Sequence, residues 1–349
     1  MTKKIIIIGS YPPPYGGISV HLERVLLYLN RDEYVFYNEQ KSKHPYARPF
    51  YNKSKFIKVF LFLFKRFKLI HYHTPNNKIR IMLCLIGLFR KNIYLHIHGE
   101  SIRDAIENNF FNYLFYKYFL RFVGILADNE KIAGYLKSFK PGKIRVIDAF
   151  IPPKFDVKIY QNFKDKYPML NDHILISHVG WFSLYNKEDL YGYDLVLETL
   201  RILTGDYHLH VSIISSVNGI KDWDLYHHFL RKRKQYHLDD KFKLILENVN
   251  QIWPLFLISA IFIRPTNTDG HSMSLSEALW FECIALASDV IPRPENVILF
   301  QNRNAKDLAV KVAQIIKSQK FLSLDNKISL IKNKKYNYKL FEEIYGIER

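Results

Sequence analysis

Cysteine is nearly absent from this 349-residue chain, with only Cys84 and Cys283 present. Two cysteines build no disulfide framework and no cysteine-based zinc ribbon or finger, and so sparing a use of thiols fits a reducing compartment. Acidic residues are also in short supply. Lys plus Arg number 51 against 33 for Asp plus Glu, a formal charge of +18 and a pI near 9.5. That excess asks for an anionic partner: nucleic acid, a phosphorylated small molecule, or the cytoplasmic face of a membrane. Long hydrophobic runs are missing too. Val59 to Phe64 and Ile81 to Phe89 are the longest, and each is closed by Lys or Arg well short of the roughly 20 residues of a spanning helix. The apolar run after Lys4 is too short for a secretory signal. The expected location is therefore the cytoplasm, with any membrane contact peripheral and on the inner face.

Apolar residues make up 48% of the chain, enough for a buried core, and the length suggests two domains. Ile5 to Ile8, ending in Gly9-Ser10, is continuously apolar and reads as a parallel strand buried on both faces. Ile18, Leu22, Val25, Leu26 and Leu29 follow at helical spacing. Further strands are expected at Leu69 to His73, Ile93 to His98, Val123 to Ala127 and Lys143 to Ile147, with helical stretches between them. Ile151-Pro152-Pro153 breaks the alternation, and a polar, irregular stretch runs to about Asn171. Strands are then expected at His173 to Val179, Leu209 to Ser215, Lys243 to Leu246, Ala260 to Arg264 and Ile284 to Ser288. Helices are expected over Leu190 to Leu203 and Ser274 to Phe281. The pattern is α/β, with two doubly wound Rossmann-like domains. The expected bounds are 1–165 and 166–335, with 336–349 as a tail packing back on the first domain.

In such sheets ligands bind at the carboxyl ends of the strands. The loop Gly9-Ser10-Tyr11-Pro12-Pro13-Pro14-Tyr15-Gly16-Gly17 joins the first strand to the first helix, and Gly16 and Gly17 let a ligand approach the backbone. The helix start beyond suits a phosphate, although the loop is neither the dinucleotide fingerprint nor a Walker loop and also reads as a plain tight turn. A second loop follows Ile261 to Arg264. Amides around Ser272, Met273 and Ser274 would open a helix towards a diphosphate, while Asp269 and Glu277 offer carboxylates to sugar or ribose hydroxyls. Ser274-x-x-Glu277 is equally a capping box.

These segments together resemble retaining glycosyltransferases of family 4. The hallmark of that family is a carboxylate, seven residues, then a glutamate, as in Asp269 and Glu277-Ala278-Leu279, with Ala285 to Val290 behind. Gly16-Gly17 with His21 resembles its amino-terminal pattern, and His96-Ile97-His98-Gly99-Glu100 its central one. The resemblance implies the GT-B architecture, two Rossmann-like domains facing across a cleft. It implies a nucleotide-sugar donor on the second domain and a glycan acceptor, lipid-linked in surface-polysaccharide synthesis, on the first. On this analogy Asp269 contacts donor-sugar hydroxyls, Glu277 the ribose, His98 the transferred sugar, and Gly16-Gly17 the diphosphate. No metal, protein nucleophile or cofactor is implied. Two positions depart from the family: Asp269 replaces the usual Glu, and Tyr stands in Leu190-Tyr191-Gly192-Tyr193-Asp194 where a diphosphate-binding Lys would fall. Lys187 is the substitute candidate. A catalytically silent binding protein with the same fold is the alternative.

From Gln40 to Gly99 there is no acid but thirteen Lys or Arg. Lys53, Lys55, Lys58, Lys65, Arg66 and Lys68 surround an aromatic stretch, a composition that suits a helix on an anionic membrane, or a core helix with a basic outer face. Phe110 to Phe122 reads as core. His71, His73, His96 and His98 sit as i, i+2 pairs without an acid or Cys at metal spacing, so no metal is assigned. Asp222-Trp223-Asp224 reads as a helix cap. Arg293, held between Pro292 and Pro294, would present its guanidinium to a phosphate or acceptor, or simply mark a surface turn. No nucleic-acid partner is assigned.

Overall fold

The computed structural model describes residues 4–13, 16–42, 47–54, 63, 67–168, 173–247, 249–269 and 272–346. The chain divides into two compact units, Met1–Ile151 with Tyr336–Arg349, and Pro152–Lys335. No helix among the described residues is long and apolar enough to cross a membrane.

The first unit holds β1 (Ile5–Gly9), α1 (Gly17–Tyr28), β2 (Tyr34–Asn38), β3 (Arg48–Pro49), β4 (Leu69–His73), α2 (Asn77–Gly87) and β5 (Ile93–Ile97). It continues with α3 (Ser101–Glu107), α4 (Phe110–Phe119), β6 (Gly124–Ala127), α5 (Glu130–Lys137) and β7 (Lys143–Val146). Its sheet runs β3-β2-β1-β4-β5-β6-β7, all parallel. Ile5, Ile6, Ile7 and Ile8 are each no more than 1% exposed, so each contributes about 1.5–3 kcal/mol of apolar burial. The order of strands reverses between β1 and β4, which makes the ends of those strands, Gly9 and His73, a topological switch point. A β-carbon on Gly9 would lie 3.0 Å from that of His73.

The second unit begins with α6 (Val157–Lys166), followed by β8 (Ile174–Phe182), the hairpin β9 (Leu184–Tyr185) and β10 (Glu188–Asp189), α7 (Tyr193–Gly205), β11 (Val211–Ile220) and α8 (Trp223–Gln235). Then come β12 (Phe242–Ile245), α9 (Trp253–Ile258), β13 (Ile261–Arg264), α10 (Met273–Trp280), β14 (Ile284–Ser288), β15 (Val297–Phe300), α11 (Ala305–Ser318) and α12 (Leu324–Asn333). The sheet order is β12-β11-β8-β13-β14-β15, again all parallel, with its switch point between β8 and β13. The last helix, α13 (Lys339–Tyr345), returns to the first unit and buries Phe341 and Tyr345 there.

Three local expectations are corrected. The stretch after Pro153 is not irregular throughout: Asp156 caps α6 by accepting from Lys158 N and Ile159 N, and Tyr160 and Phe163 bury one helix turn apart in the second unit. α4 is not core. Only Tyr116 of it is buried, while Phe110 and Phe111 are 71% and 79% exposed. The helix after β13 begins at Met273 with Ser272 as its cap, whose Oγ accepts from Leu275 N. Glu277 therefore lies beyond the reach of a Ser274 capping box. Asp222 does cap α8, accepting from Leu225 N at 2.8 Å.

Candidate functional site

At the switch point of the second unit, Arg264 ends β13 and reaches over the loop that follows. Its Nε and Nη2 donate to Asp269 Oδ2 and Oδ1, each at 3.0 Å, in a two-pronged fork. Arg293 Nη1 donates to Asp269 Oδ2 at 2.9 Å, and Thr266 Oγ1 donates to the same oxygen at 3.2 Å. The three charged side chains are 12%, 8% and 2% exposed for Arg264, Asp269 and Arg293. Burial alone would raise the Asp269 carboxyl, but Arg264 and then Arg293 outweigh it and hold the group below the ordinary carboxylate range. Two cations on one anion leave one positive charge in a poorly solvated place. Arg293 Nε and Nη2 are buried and meet no acceptor among the described residues, and such donors are costly to leave unmet.

α10 starts beside this loop. Helix geometry leaves the N–H groups of Met273 and Ser274 without intrahelical partners, and the Ser272 and Ser274 hydroxyls lie 3.2 Å apart. Glu277 sits one turn further on and is 3% exposed. Lys187 is at the tip of the β9–β10 hairpin, exposed, with a positive φ of 65°. Glu188 ties that hairpin to the loop through Asn267 Nδ2 at 3.2 Å, and to Arg303 at 2.9 Å. At the start of α7, Asp189 accepts from the N–H groups of Tyr191, Gly192 and Asp194. The protein thus fills that helix N-terminus with its own carboxylate, which burial pushes up to about 6. The Arg264 guanidinium lies over the Tyr191 ring, 5.2 Å from its centre.

The first unit brings five histidines together behind the Gly16-Gly17 loop. Gly16 caps α1, its N–H donating to Ser19 Oγ at 3.0 Å, and space is open where a β-carbon would stand. His98 follows β5, stacks on His96 with ring centres 4.2 Å apart, and shares a hydrogen bond with His73 Nδ1 at 3.1 Å. His71 Nε2 meets His96 Nδ1 at 3.1 Å, and His71 Nδ1 meets Tyr345 Oη at 2.8 Å. Burial, then His21, lowers His71 to about 3; burial and the neighbouring charges also hold His73, His96 and His98 well below the normal histidine value. These rings are neutral at physiological pH. Of the basic cluster, Lys53 is half-buried and Lys68 donates to Gly346 O at 2.6 Å, closing the end of α13. Lys55, Lys58, Lys65 and Arg66 lie outside the described residues.

No family model and no curated protein sequence matches the chain. Solved structures do. A glycosyltransferase from Rickettsia africae ESF-5 superposes with a TM-score of 0.67 at 13% identity, covering 99% of each chain. Anabaena Alr3699/HepE in complex with UDP and glucose gives 0.67 at 12%, covering 98% of each. The catalytic domain of Arabidopsis thaliana starch synthase IV, bound to ADP and acarbose, gives 0.62 at 11%, covering 99% of each. The chain has the GT-B glycosyltransferase fold.

Within this GT-B chain the structure unites Asp269, on the loop that leads into the helix start at Ser272, Met273 and Ser274, with Arg293. Sequence reasoning missed Arg264. Its signal was an arginine closing a buried apolar strand immediately before Pro265, where a cation is out of place unless it has a partner. Asp189 was missed as well, although an acid three residues before a helix-opening Gly192 and Tyr193 carries the mark of a local cap.

Proposed function

We propose that the chain is a retaining glycosyltransferase of the family 4 type. It moves a sugar from a nucleoside-diphosphate donor to a glycan acceptor, lipid-linked, in bacterial surface-polysaccharide synthesis at the inner face of the membrane. The observation that carries this reading is the unmet donor edge of buried Arg293, which is tied through Asp269 to the loop leading into α10. Nε and Nη2 form the flat fork that matches two oxygens of a phosphate.

Breaking the bond between sugar and phosphate builds negative charge on the departing diphosphate. Arg293, Arg264 and the N–H groups of Met273 and Ser274 are fixed in advance where that charge would gather, which favours the transition state over the ground state. In this reading Asp269, whose oxygens are occupied by arginines, acts as a positioning residue that aims them, and Glu277 takes the ribose. Lys187, on its hairpin, is free to close over the phosphates. His98 serves the acceptor side, and the leaving phosphate takes the acceptor proton in a same-face attack that retains configuration. The alternative of a silent binding protein drew on the missing diphosphate cations, and Arg264 with Arg293 supplies that charge by another route. The exposed aromatic residues Phe110 and Phe111 of α4, together with Phe89 at 83% exposure, support an anionic membrane as partner.

The test is transfer or donor hydrolysis with a panel of nucleotide sugars, on wild type and on the Glu277→Gln, Arg293→Lys and Asp269→Ala variants. The reading expects turnover in wild type and a loss in all three. Equal turnover across the series rejects the site, and no turnover or nucleotide binding in folded wild type rejects the activity.

A further inference from the structure

His21, His73 and His96 come from three different elements, α1, β4 and β5, and converge in the core of the first unit. One ring nitrogen of each lies within 4.8 Å of those of the other two. The three side chains are 0%, 1% and 0% exposed. Nε2 of His73 and Nε2 of His96 meet no hydrogen-bond partner among the described residues. Two orphaned nitrogens on buried rings whose centres lie 4.7 Å apart need an explanation, since each buried polar atom left unmet carries a desolvation cost.

The opposite ring nitrogens are all engaged. His21 Nδ1 lies 2.7 Å from Ala149 O. A carbonyl oxygen only accepts, so the His21 proton sits on Nδ1 and the lone pair on Nε2. His73 Nδ1 is held by His98 Nε2, and His96 Nδ1 by His71 Nε2, both at 3.1 Å. Hydrogen bonding at one ring nitrogen while the other is presented to a common point is how metal-binding imidazoles are oriented and kept basic.

We propose that His21, His73 and His96 form a site for a divalent transition-metal ion of the zinc class. An all-imidazole set suits zinc, cobalt, nickel or copper and excludes calcium and magnesium, which take oxygen ligands. Metal–nitrogen bonds of about 2.0–2.1 Å in a tetrahedron place ligand nitrogens about 3.4 Å apart, so the rings close by about 1 Å on binding. Three protein ligands leave a fourth position for water. Ala149 O, His98 and His71 are the outer partners, which couples the ion to His98 through the His73 ring. None of the three ligands has a role in the proposed transfer, so retention of the ion is read without any measurement of transferase activity.

The test uses the full chain, without a histidine tag, stripped with chelator and then exposed to zinc or cobalt before gel filtration. The expected result is about one equivalent retained, a visible cobalt spectrum of a four-coordinate nitrogen-rich site, and a raised melting temperature. His96→Ala and His73→Gln should lose both the retained ion and the spectrum, while His208→Gln, at an exposed position, keeps them. No retained ion in folded wild type overturns the proposal and leaves an ordered water as the occupant. Equal retention by His96→Ala and wild type overturns it as well. Should the variants fail to fold, X-ray absorption on the cobalt-loaded wild type decides: three imidazole ligands support the site, and fewer reject it.

Discussion

Arg293 donates through Nη1 to Asp269 at 2.9 Å, while Nε and Nη2 of the same guanidinium, 2% exposed as a side chain, meet no acceptor among the described residues. One edge is anchored and the other is left for a ligand. Arg293→Met should therefore lower kcat/KM for the nucleotide sugar by about 10²–10³, with a parallel loss of UDP or GDP affinity measured by calorimetry. Arg293→Lys keeps the charge but not the fork and should recover only part of it. Unchanged kcat/KM in Arg293→Met would remove the arginine from the donor site.

His178 gives a pH dependence that can be read separately from catalysis. Its Nε2–H donates to Tyr191 O at 3.0 Å and its Nδ1 lies 2.8 Å from Ser215 Oγ. Burial, reinforced by Arg264 and partly offset by the Tyr191 carbonyl, lowers it to about 3. The unfolded chain then binds a proton near pH 6.5 that the folded chain refuses, so stability is full above pH 6.5 and falls as the pH drops towards 3. Between pH 7 and pH 5 the wild type should lose about 2 kcal/mol more than His178→Gln. Urea denaturation at the two pH values measures this; identical slopes in both proteins would contradict it.

Gly192 has a φ of 66°, and a β-carbon there would fall 2.7 Å from Pro265 O. The loops leaving β8 and β13 thus meet at a place with no room for a side chain. Gly192→Ala should cost about 2–3 kcal/mol from the left-handed backbone and the clash together. Gly16→Ala, where the backbone is extended and the space open, should cost less than about 0.5 kcal/mol. Chemical denaturation of the two variants compares them directly, and a similar midpoint for both would refute the packing argument.

α4 exposes Phe110 and Phe111, Phe89 just past the end of α2 is exposed as well, and Lys117 and Arg121 lie along and just after α4. Binding to vesicles containing anionic lipid should fall at least tenfold on Phe111→Ser combined with Lys117→Glu, and further on charge reversal at Lys53, Lys55 and Lys58. Vesicle flotation reads the outcome. Undiminished flotation after both sets of changes would exclude this face and the basic cluster as the docking surface.

Strands buried on both faces were the most legible elements. β1 and β14 carry nearly continuous apolar runs, β4 is interrupted only by His71 and His73, and the observed bounds of all three lie within a residue of those read from the sequence. α6 was opaque because its buried positions, Tyr160 and Phe163, are separated by glutamine and asparagine and flanked by lysines. The start of α10 was ambiguous because Ser272 and Ser274 both satisfy the capping preference, and the exit direction from β13 decides between them. α4 misled for a different reason: aromatic density marks burial only where a neighbouring layer exists to cover it, and here Phe115, Tyr116 and Phe119 face inward while Phe110 and Phe111 do not. The loop from Asp269 to Glu277 was visible as a site, yet its electrostatics were not. Arg264, Asp269 and Arg293 are joined by a fold, not by a motif. The same holds for His21, whose partners His73 and His96 lie far along the chain and become neighbours only through the pairing of β4 with β5.

The return of α13 to the first unit means that this unit is split by the whole of the second. Tyr345, whose hydroxyl meets His71, is translated after all of Pro152–Lys335. On the ribosome the interrupted unit must wait, its inner face lacking Phe341 and Tyr345, while the inserted one has every segment it needs. Synthesis order and folding order therefore part company in this chain: the middle is finished before the beginning.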